Sequence, residues 1–187
     1  MTLKKKLPIG ISDFKEIVER GEYYYVDKSL IIKDLLDHGA KSMLFTRPRR
    51  FGKTLNLSML RYFFEKTDEN TADLFTNLAI SRQGSTYMNY QGKHPVIYLT
   101  FKDVKSRQWS KSLEQLKRVI SEEYRRHKYL LTNADLDRYE EREFQEIIGL
   151  TATETAYENS IRKLSALLTN YHGEKTLSLP TDKSGGF

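Results

Sequence analysis

The segment Arg47–Thr54, with the sequence R-P-R-R-F-G-K-T, decides the fold that we predict for this chain. The short apolar run 42–46 before it predicts a β-strand, and apolar residues at helical spacing after it predict a helix. Phosphate-binding loops occur between a strand and a helix in this way. In them a glycine permits unusual backbone angles, successive N–H groups surround a phosphate, a lysine reaches the β- and γ-phosphate oxygens, and a hydroxyl ligates Mg²⁺. Gly52, Lys53 and Thr54 have the spacing for these functions.

The net charge of the chain is concentrated near this loop. Of the 187 residues, 1–66 hold 14 Lys and Arg against 8 Asp and Glu, whereas 67–187 hold 17 of each, so the first third carries the whole formal charge of +6. A basic patch confined to one part of the chain predicts that an anion binds there. Arg47, however, occupies the position where the usual phosphate-loop pattern has its first glycine. The loop therefore either binds phosphate or is an exposed basic loop that binds nothing in particular or contacts nucleic acid non-specifically.

Capping and turn residues predict the elements before the loop. A helix is expected from Asp13 to the residue before Gly21, because aspartate is a good N-cap and glycine a good C-cap. An extended segment over 23–26 comes next. A further helix, with Ser29 as its N-cap, should end at Gly39.

The segment after the loop predicts an α/β domain. A short helix is expected over 72–78, a buried strand over 94–101, and an acidic helix over 136–148 that lies between two long amphipathic helices. Strands that alternate with helices indicate a mostly parallel sheet flanked by helices. We expect the apolar stripes of the two long helices to pack in the core; their residues are Trp109, Leu113, Leu116, Ile120 and Tyr124 in the first and Tyr157, Ile161, Leu164, Leu168 and Tyr171 in the second.

Composition excludes several classes of protein. The chain has no cysteine, which excludes a disulfide scaffold, a cysteine zinc site and a cysteine nucleophile. No run approaches the roughly 20 apolar residues that span a bilayer, and the basic N-terminus lacks the apolar segment of a secretion signal. We therefore expect a cytoplasmic protein without a membrane partner.

Four strings of the sequence resemble, in their order and spacing, the bacterial AAA-ATPase-like family. They are L-P-I-G-I-S-D-F over 7–14, Y-Y-V-D-K-S over 24–29, R-P-R-R-F-G-K-T over 47–54 and P-V-I-Y-L-T-F-K-D over 95–103. Members of this family resemble P-loop ATPases of the AAA/STAND type, commonly with arginine at the position of Arg47, and many carry a nuclease-like domain of the PD-(D/E)XK class. The resemblance covers roughly residues 5–175. It implies a P-loop NTPase-like fold, ATP and Mg²⁺ as cofactors, and DNA or a nuclease domain as a partner.

The family motif implies a nucleotide site over the whole loop, with phosphate and Mg²⁺ contacts at its end and backbone amides before them. The residues of this implied site are Arg47, Pro48, Arg49, Arg50, Phe51, Gly52, Lys53 and Thr54, of which Thr54 would contact Mg²⁺. Upstream, Asp27 and Lys28 match the family signature V-D-K-[ST]. This match fits either a position beside the nucleotide or a strand end followed by a helix cap at Ser29.

The resemblance ends where the family has an acidic strand, of the form L-I-D-E-Y-D, that would assist hydrolysis. Residues 176–187 contain Pro180 and a glycine pair, and we expect them to form a loose tail, although Leu177 and Leu179 alternate as in an edge strand. Asp103 is a second candidate for a Mg²⁺ contact, weaker than Thr54. No catalytic residue can be assigned, and we expect this chain alone to bind ATP without turnover.

The predicted organisation follows from these matches. An N-terminal segment over 1–40 precedes a partial P-loop core over 41–175 and the tail over 176–187, so the α/β fold is expected to be a C-terminally truncated form of the family domain. The alternative function is a nucleic-acid-binding module, in which the basic first third contacts phosphates and Tyr23–Tyr25 stack on bases.

Overall fold

The computed structural model of the chain describes residues 5–39, 42–44, 51–102 and 104–181, which form two compact units that divide between His94 and Pro95. Among these residues no helix has the length and apolar character needed to cross a membrane. The described part of the first unit contains α1 (Phe14–Arg20), α2 (Leu30–His38), α3 (Lys53–Phe64), 3-10 helices at Ala72–Phe75 and Ala79–Gln83, and α4 (Ser85–Met88). That of the second contains β1 (Val96–Thr100), α5 (Trp109–Arg126), α6 (Leu130–Asn133), α7 (Arg138–Ile148), α8 (Glu154–His172) and β2 (Leu177–Thr181).

The helices of the first unit begin and end near the residues that the sequence indicates. The Asp13 carboxylate accepts a hydrogen bond from Glu16 N at 3.0 Å, and Gly21 ends α1 in a left-handed conformation with φ +61°. Gly39 ends α2 in the same way, with φ +55°. Capping residues therefore predict these boundaries correctly, because they satisfy the backbone groups that a helix end leaves without partners.

Aromatic rings form the core of the first unit. Phe14 of α1 and Phe63 of α3 each lie 5.2 Å from the ring of Phe75, measured between ring centroids, and all three side chains are completely buried. Such large rings contribute much apolar area together with favourable edge and tilted contacts. This cluster therefore holds α1, α3 and the first 3-10 helix together.

The predicted strand before the loop is wrong in the part that can be compared. Residues 42–44 have no regular secondary structure, and the Leu44 side chain is 84% exposed. Phe45 and Thr46 lie outside the described residues. A short apolar run becomes a strand only when another strand pairs with it, and sequence periodicity does not report the partner.

The second unit packs its helices against one small parallel sheet. Ile97 and Leu99 of β1 are buried in one cluster with Tyr124 of α5, Phe144 of α7 and Leu164 of α8. The described residues thus confirm a mixed α/β structure with a parallel sheet flanked by helices, although this sheet has only two strands.

The ends of the predicted apolar stripes leave the core. Trp109, the first residue of α5, is 77% exposed, and Tyr171, near the end of α8, is 39% exposed. Both were expected to pack inside, and both predictions are wrong. The helices extend past the cluster that they cover, so that the stripe continues in sequence after its partners have ended.

Strand β2 corrects the expectation of a loose tail after residue 175. It pairs in parallel with β1, in a register that places Val96 opposite Leu177 and Thr100 opposite Thr181. Leu177 N donates to Pro95 O at 2.9 Å, so alternate residues of β2 point their N–H groups toward β1. Pro180 falls at an outward position, where its missing N–H costs no ladder bond. Residues 182–187 lie outside the described part.

Side chains of α5 cover the edge of β1 that faces away from β2. The Glu123 carboxylate accepts a hydrogen bond from Tyr98 N at 2.8 Å, and Arg126 Nη2 donates to Val96 O at 2.6 Å. The two side chains also form an ion pair, at 2.5 Å between Arg126 Nη2 and Glu123 Oε1. His127 Nε2 lies 3.3 Å from the same carboxylate oxygen, which is almost completely buried. One carboxylate thus organises the edge of the sheet.

We expect Glu123→Ala to lower the free energy of unfolding by about 3–5 kcal/mol, because it leaves Arg126 and a strand N–H without their shared partner. Glu123→Gln should cost less, since an amide oxygen still accepts hydrogen bonds. The neighbouring residue Glu122 is exposed, and Glu122→Ala should change stability by less than about 0.5 kcal/mol. Urea unfolding followed by circular dichroism gives the comparison, and equal stability of the Glu123→Ala and Glu122→Ala variants would contradict it.

Candidate phosphate-binding site

The described end of the predicted phosphate-binding loop consists of Phe51, Gly52 and the start of α3. Gly52 precedes the helix with φ +76° and ψ +23°, a left-handed conformation that glycine adopts without strain. Its carbonyl oxygen accepts the first helical hydrogen bond, from Asn56 N at 2.8 Å. The amides of residues 53–55 have no acceptor within the helix, as at any helix N-terminus, and they carry partial positive charge. The predicted helix after the loop is confirmed, and it begins at Lys53.

Hydrogen bonds from α3 to the start of α1 fix the position of this helix. Phe14 N donates to the Ser58 hydroxyl at 3.0 Å, and the Tyr62 hydroxyl donates to the Asp13 carboxylate at 3.1 Å. Burial, followed by the nearby negative charge of Asp13, raises the pKa of Tyr62 to about 12. The tyrosine is therefore a neutral donor at ordinary pH. The end of the L-P-I-G-I-S-D-F string thus anchors the helix that follows the loop.

Two side chains of the Y-Y-V-D-K-S string fix the segment before α2. The Asp27 carboxylate accepts hydrogen bonds from Ser29 N at 2.8 Å and from Ala79 N at 2.6 Å. The Ser29 hydroxyl accepts one from Ile80 N at 3.1 Å, and Ser29 is only 1% exposed. Ser29 does precede α2, as predicted, but its side chain makes no capping bond to that helix. Its partner is instead the 3-10 helix at Ala79–Gln83.

Lys28, the residue between these two anchors, contacts the loop itself. Its Nζ donates to the carbonyl oxygen of Phe51 at 3.4 Å. A Cβ atom built on Gly52 would lie 3.8 Å from the same nitrogen. The sequence leaves the role of Lys28 open, because 23 positions separate it from Phe51. The only sequence signal for this contact is the place of Lys28 in the D-K-S string.

The remaining predicted site residues are only partly placed. Phe51 is 55% exposed, while Lys53 and Thr54 are half-buried in the first turn of α3. Arg47, Pro48, Arg49 and Arg50 lie outside the described residues, and so does Asp103. Within the described ranges, no group of three or more His, Cys, Asp or Glu side chains is arranged to hold a metal ion. Thr54, the residue predicted to contact Mg²⁺, is described and lies in the first turn of α3.

The left-handed conformation of Gly52 predicts a specific pattern of stability. Gly52→Ala should lower the free energy of unfolding by about 1–2 kcal/mol, because a Cβ atom disfavours this conformation. Gly52→Asn should cost less, since asparagine tolerates positive φ better than other side chains. The space around Gly52 does not decide the result, because the nearest atoms lie at ordinary contact distance. Equal losses for the two variants in urea unfolding would contradict this explanation.

A pH dependence follows from the two amides that bind Asp27. Partial desolvation favours the neutral carboxyl, but the hydrogen bonds from Ser29 and Ala79 outweigh it and hold the pKa of Asp27 below its usual value. The ionised group therefore stabilises the fold above about pH 4, and this contribution is lost as the pH falls through the depressed pKa. Asp27→Asn should thus lower stability at pH 7, and the difference from the wild type should shrink below about pH 4.

The control for this measurement is Asp34→Asn, at an exposed position of α2. That variant should stay within about 0.5 kcal/mol of the wild type at pH 7. A wild-type to Asp27→Asn difference that is independent of pH would mean that the carboxylate charge plays no part. Both titrations can be followed by urea unfolding in a series of buffers.

Comparison with known proteins agrees with the family resemblance. A sequence model of the AAA-ATPase-like family, described as "Predicted AAA-ATPase", matches residues 8–176. The chain is also 38% identical over 98 residues to a protein of Azotobacter chroococcum mcd 1 named "Uncharacterized protein in vnfD 5'region". The match covers 52% of this chain and 17% of that protein. No solved structure matches. Because the family model covers nearly the whole sequence, this chain belongs to the AAA-ATPase-like family.

Proposed function

We propose that this chain binds ATP, as its Mg²⁺ complex, at the N-terminus of α3. One observation carries the proposal: the G-K-T tripeptide of a predicted AAA-ATPase lies where a left-handed glycine leads into a helix. Gly52 allows the chain to approach a phosphate closely, and the first amides of α3 then point toward it. Family membership supports nucleotide binding in general, and the choice of ATP over GTP follows the name of the family.

Each residue of the tripeptide has a distinct part in this proposal. The Lys53 ammonium compensates the charge of the β- and γ-phosphates, and the Thr54 hydroxyl ligates Mg²⁺. Bound Mg²⁺ would neutralise phosphate charge. Arg47 and Pro48 complete the loop in the family motif. Arg49, Arg50 and Phe51 would add backbone amides around the phosphates, and the three arginines would add positive charge.

Nucleotide binding and hydrolysis make different demands on the chain. Binding needs a loop, a cation and a helix terminus, whereas hydrolysis also needs carboxylates that hold Mg²⁺ and orient the attacking water. Asp103 remains a prediction for the Mg²⁺ site. We therefore propose binding as the function of this chain. Contacts with DNA or with a nuclease domain remain predictions from the family resemblance.

Isothermal titration calorimetry with ATP and Mg²⁺ tests the proposal. We expect saturable binding by the wild type and a loss of at least about tenfold in affinity for Lys53→Ala, since a hydrogen bond to a charged group contributes about 1.5–3 kcal/mol. Thr54→Ala should weaken binding when Mg²⁺ is present and much less when EDTA removes it. A folded wild type that binds no ATP would refute the proposal.

The same protein preparations distinguish the alternative, in which the basic first third binds nucleic acid. That binding should weaken steeply as salt increases and should survive the Thr54→Ala substitution. Tyr25 is a poor stacking platform, because its ring packs against Phe14 with the centroids 5.7 Å apart. Fluorescence anisotropy with a labelled oligonucleotide at two salt concentrations gives this readout. Tight oligonucleotide binding without ATP binding would favour the alternative.

A further inference from the structure

The geometry points to Lys28 as a second phosphate-binding lysine of the site, held beside the loop by Asp27 and Ser29. This inference rests on the proposed nucleotide binding and adds to it a residue outside the Arg47–Thr54 segment. Lys28 belongs to a different part of the sequence, immediately before α2, and reaches the loop only through the fold.

The location of the ammonium group is the first argument. Lys28 Nζ lies 3.4 Å from the carbonyl oxygen of Phe51 and 3.8 Å from the position of a Cβ atom on Gly52. It therefore lies at the residues that lead into α3, where the phosphates of a bound nucleotide would be expected. An ammonium group has three N–H donors, and the bond to Phe51 uses one of them.

The backbone around Lys28 is fixed on both sides. Asp27 and Ser29 are bound to the 3-10 helix at Ala79–Gln83 through the amides of Ala79 and Ile80. The carbonyl oxygen of Lys28 also accepts a hydrogen bond from Ile31 N at 3.1 Å, at the start of α2. With its backbone held in this way, the side chain loses only its own rotamer freedom when it binds an anion. Asp27 and Ser29 are therefore positioning residues.

Electrostatics gives the second argument. The N-terminus of α3 carries partial positive charge, and Lys53 in its first turn adds a full one, so a further ammonium here is repelled. Among the described residues Lys28 forms no ion pair with a carboxylate, and its neighbour Asp27 accepts hydrogen bonds from backbone amides instead. A bound triphosphate reverses the sign of this interaction, because its negative charge would lie between two cations and a helix terminus.

A purely structural role for Lys28 makes a different prediction. If its only task were the bond to Phe51, any donor of similar length would replace it. Glutamine keeps an N–H donor but has no charge, whereas arginine keeps both the donor and the charge. Lys28→Gln and Lys28→Arg therefore separate the role of the charge from the role of the hydrogen bond.

The matched control is Lys66, an exposed lysine of the same unit just beyond the other end of α3. At a rise of about 1.5 Å per residue, the 12-residue helix places it roughly 18 Å from the phosphate-binding end. This separation is longer than the Debye length of about 8 Å at physiological salt, so the Lys66→Gln change in net charge should hardly affect binding. Urea unfolding of each variant verifies that it is folded before its binding is measured.

The experiment is calorimetry of the full chain with Mg²⁺-ATP and with inorganic triphosphate. We expect Lys28→Gln to bind both ligands about 10- to 100-fold more weakly, Lys28→Arg to retain most of the affinity, and Lys66→Gln to bind within twofold of the wild type. If Lys28→Gln loses as much affinity for inorganic triphosphate as for Mg²⁺-ATP, then Lys28 interacts with the phosphates of the nucleotide.

Two outcomes would overturn the inference, and they differ from a failure of the proposed function. Wild-type affinity in folded Lys28→Gln would show that the charge is not used. Weak binding in both Lys28→Arg and Lys28→Gln would show that a retained positive charge does not retain affinity, which would contradict the role given to the charge. Absence of ATP binding by the wild type, with Lys66→Gln behaving identically, would instead refute nucleotide binding itself.

Discussion

The packing of α3 is the constraint on which the candidate site depends. Phe63 in its second half meets Phe75 in the buried aromatic cluster, and Ser58 and Tyr62 bind the start of α1 through hydrogen bonds. These contacts fix the axis of the helix, and with it the direction in which the amides of its first turn point. A helix terminus can receive an anion at little cost only if it is held in place before the anion arrives.

Short side-chain anchors bring distant parts of the first unit to this terminus. Asp27 and Ser29 use their oxygen atoms to satisfy amides at the start of the 3-10 helix at Ala79–Gln83, more than 50 positions away in the sequence. Lys28 lies between Asp27 and Ser29 in the sequence, but its side chain contacts a different element, the loop before α3. Three consecutive residues thus connect three elements. This arrangement gives the D-K-S string a physical meaning that neither a strand end nor a helix cap provides.

The second unit solves a different problem, which is the stability of a very small sheet. Two strands alone expose most of their backbone groups, and a pair of this size is marginal in water. Helices α5 to α8 cover one face with apolar side chains, while Glu123 and Arg126 satisfy backbone groups at the outer edge of β1. Pro180 lies at an outward position of β2, where it makes that edge a poor template for further pairing. The small sheet is therefore stabilised through its helices.

Several features could be predicted from the sequence because local interactions decide them. Asp13, Gly21 and Gly39 mark helix ends through their own capping bonds or dihedral angles, and the apolar stripe at helical spacing around Tyr124 indicates a buried helix face. The G-K-T tripeptide likewise predicts the start of α3, since a glycine and a helix are neighbours in the chain. In each case the interacting groups lie within a few residues of one another.

Only the tertiary structure decided the remaining features, because their partners are far apart in sequence. Leu177–Thr181 is a strand since β1, about 80 residues earlier, offers a parallel edge, whereas residues 42–44 have equally apolar character and form none. Lys28 contacts the loop because Asp27 and Ser29 are bound to a segment that follows α3. The sequence by itself determined the ends of α1 and α2, the start of α3 after the G-K-T tripeptide, and the family. The fold alone brought a second lysine to that tripeptide, because pairwise contacts over long separations leave no local pattern from which to predict them.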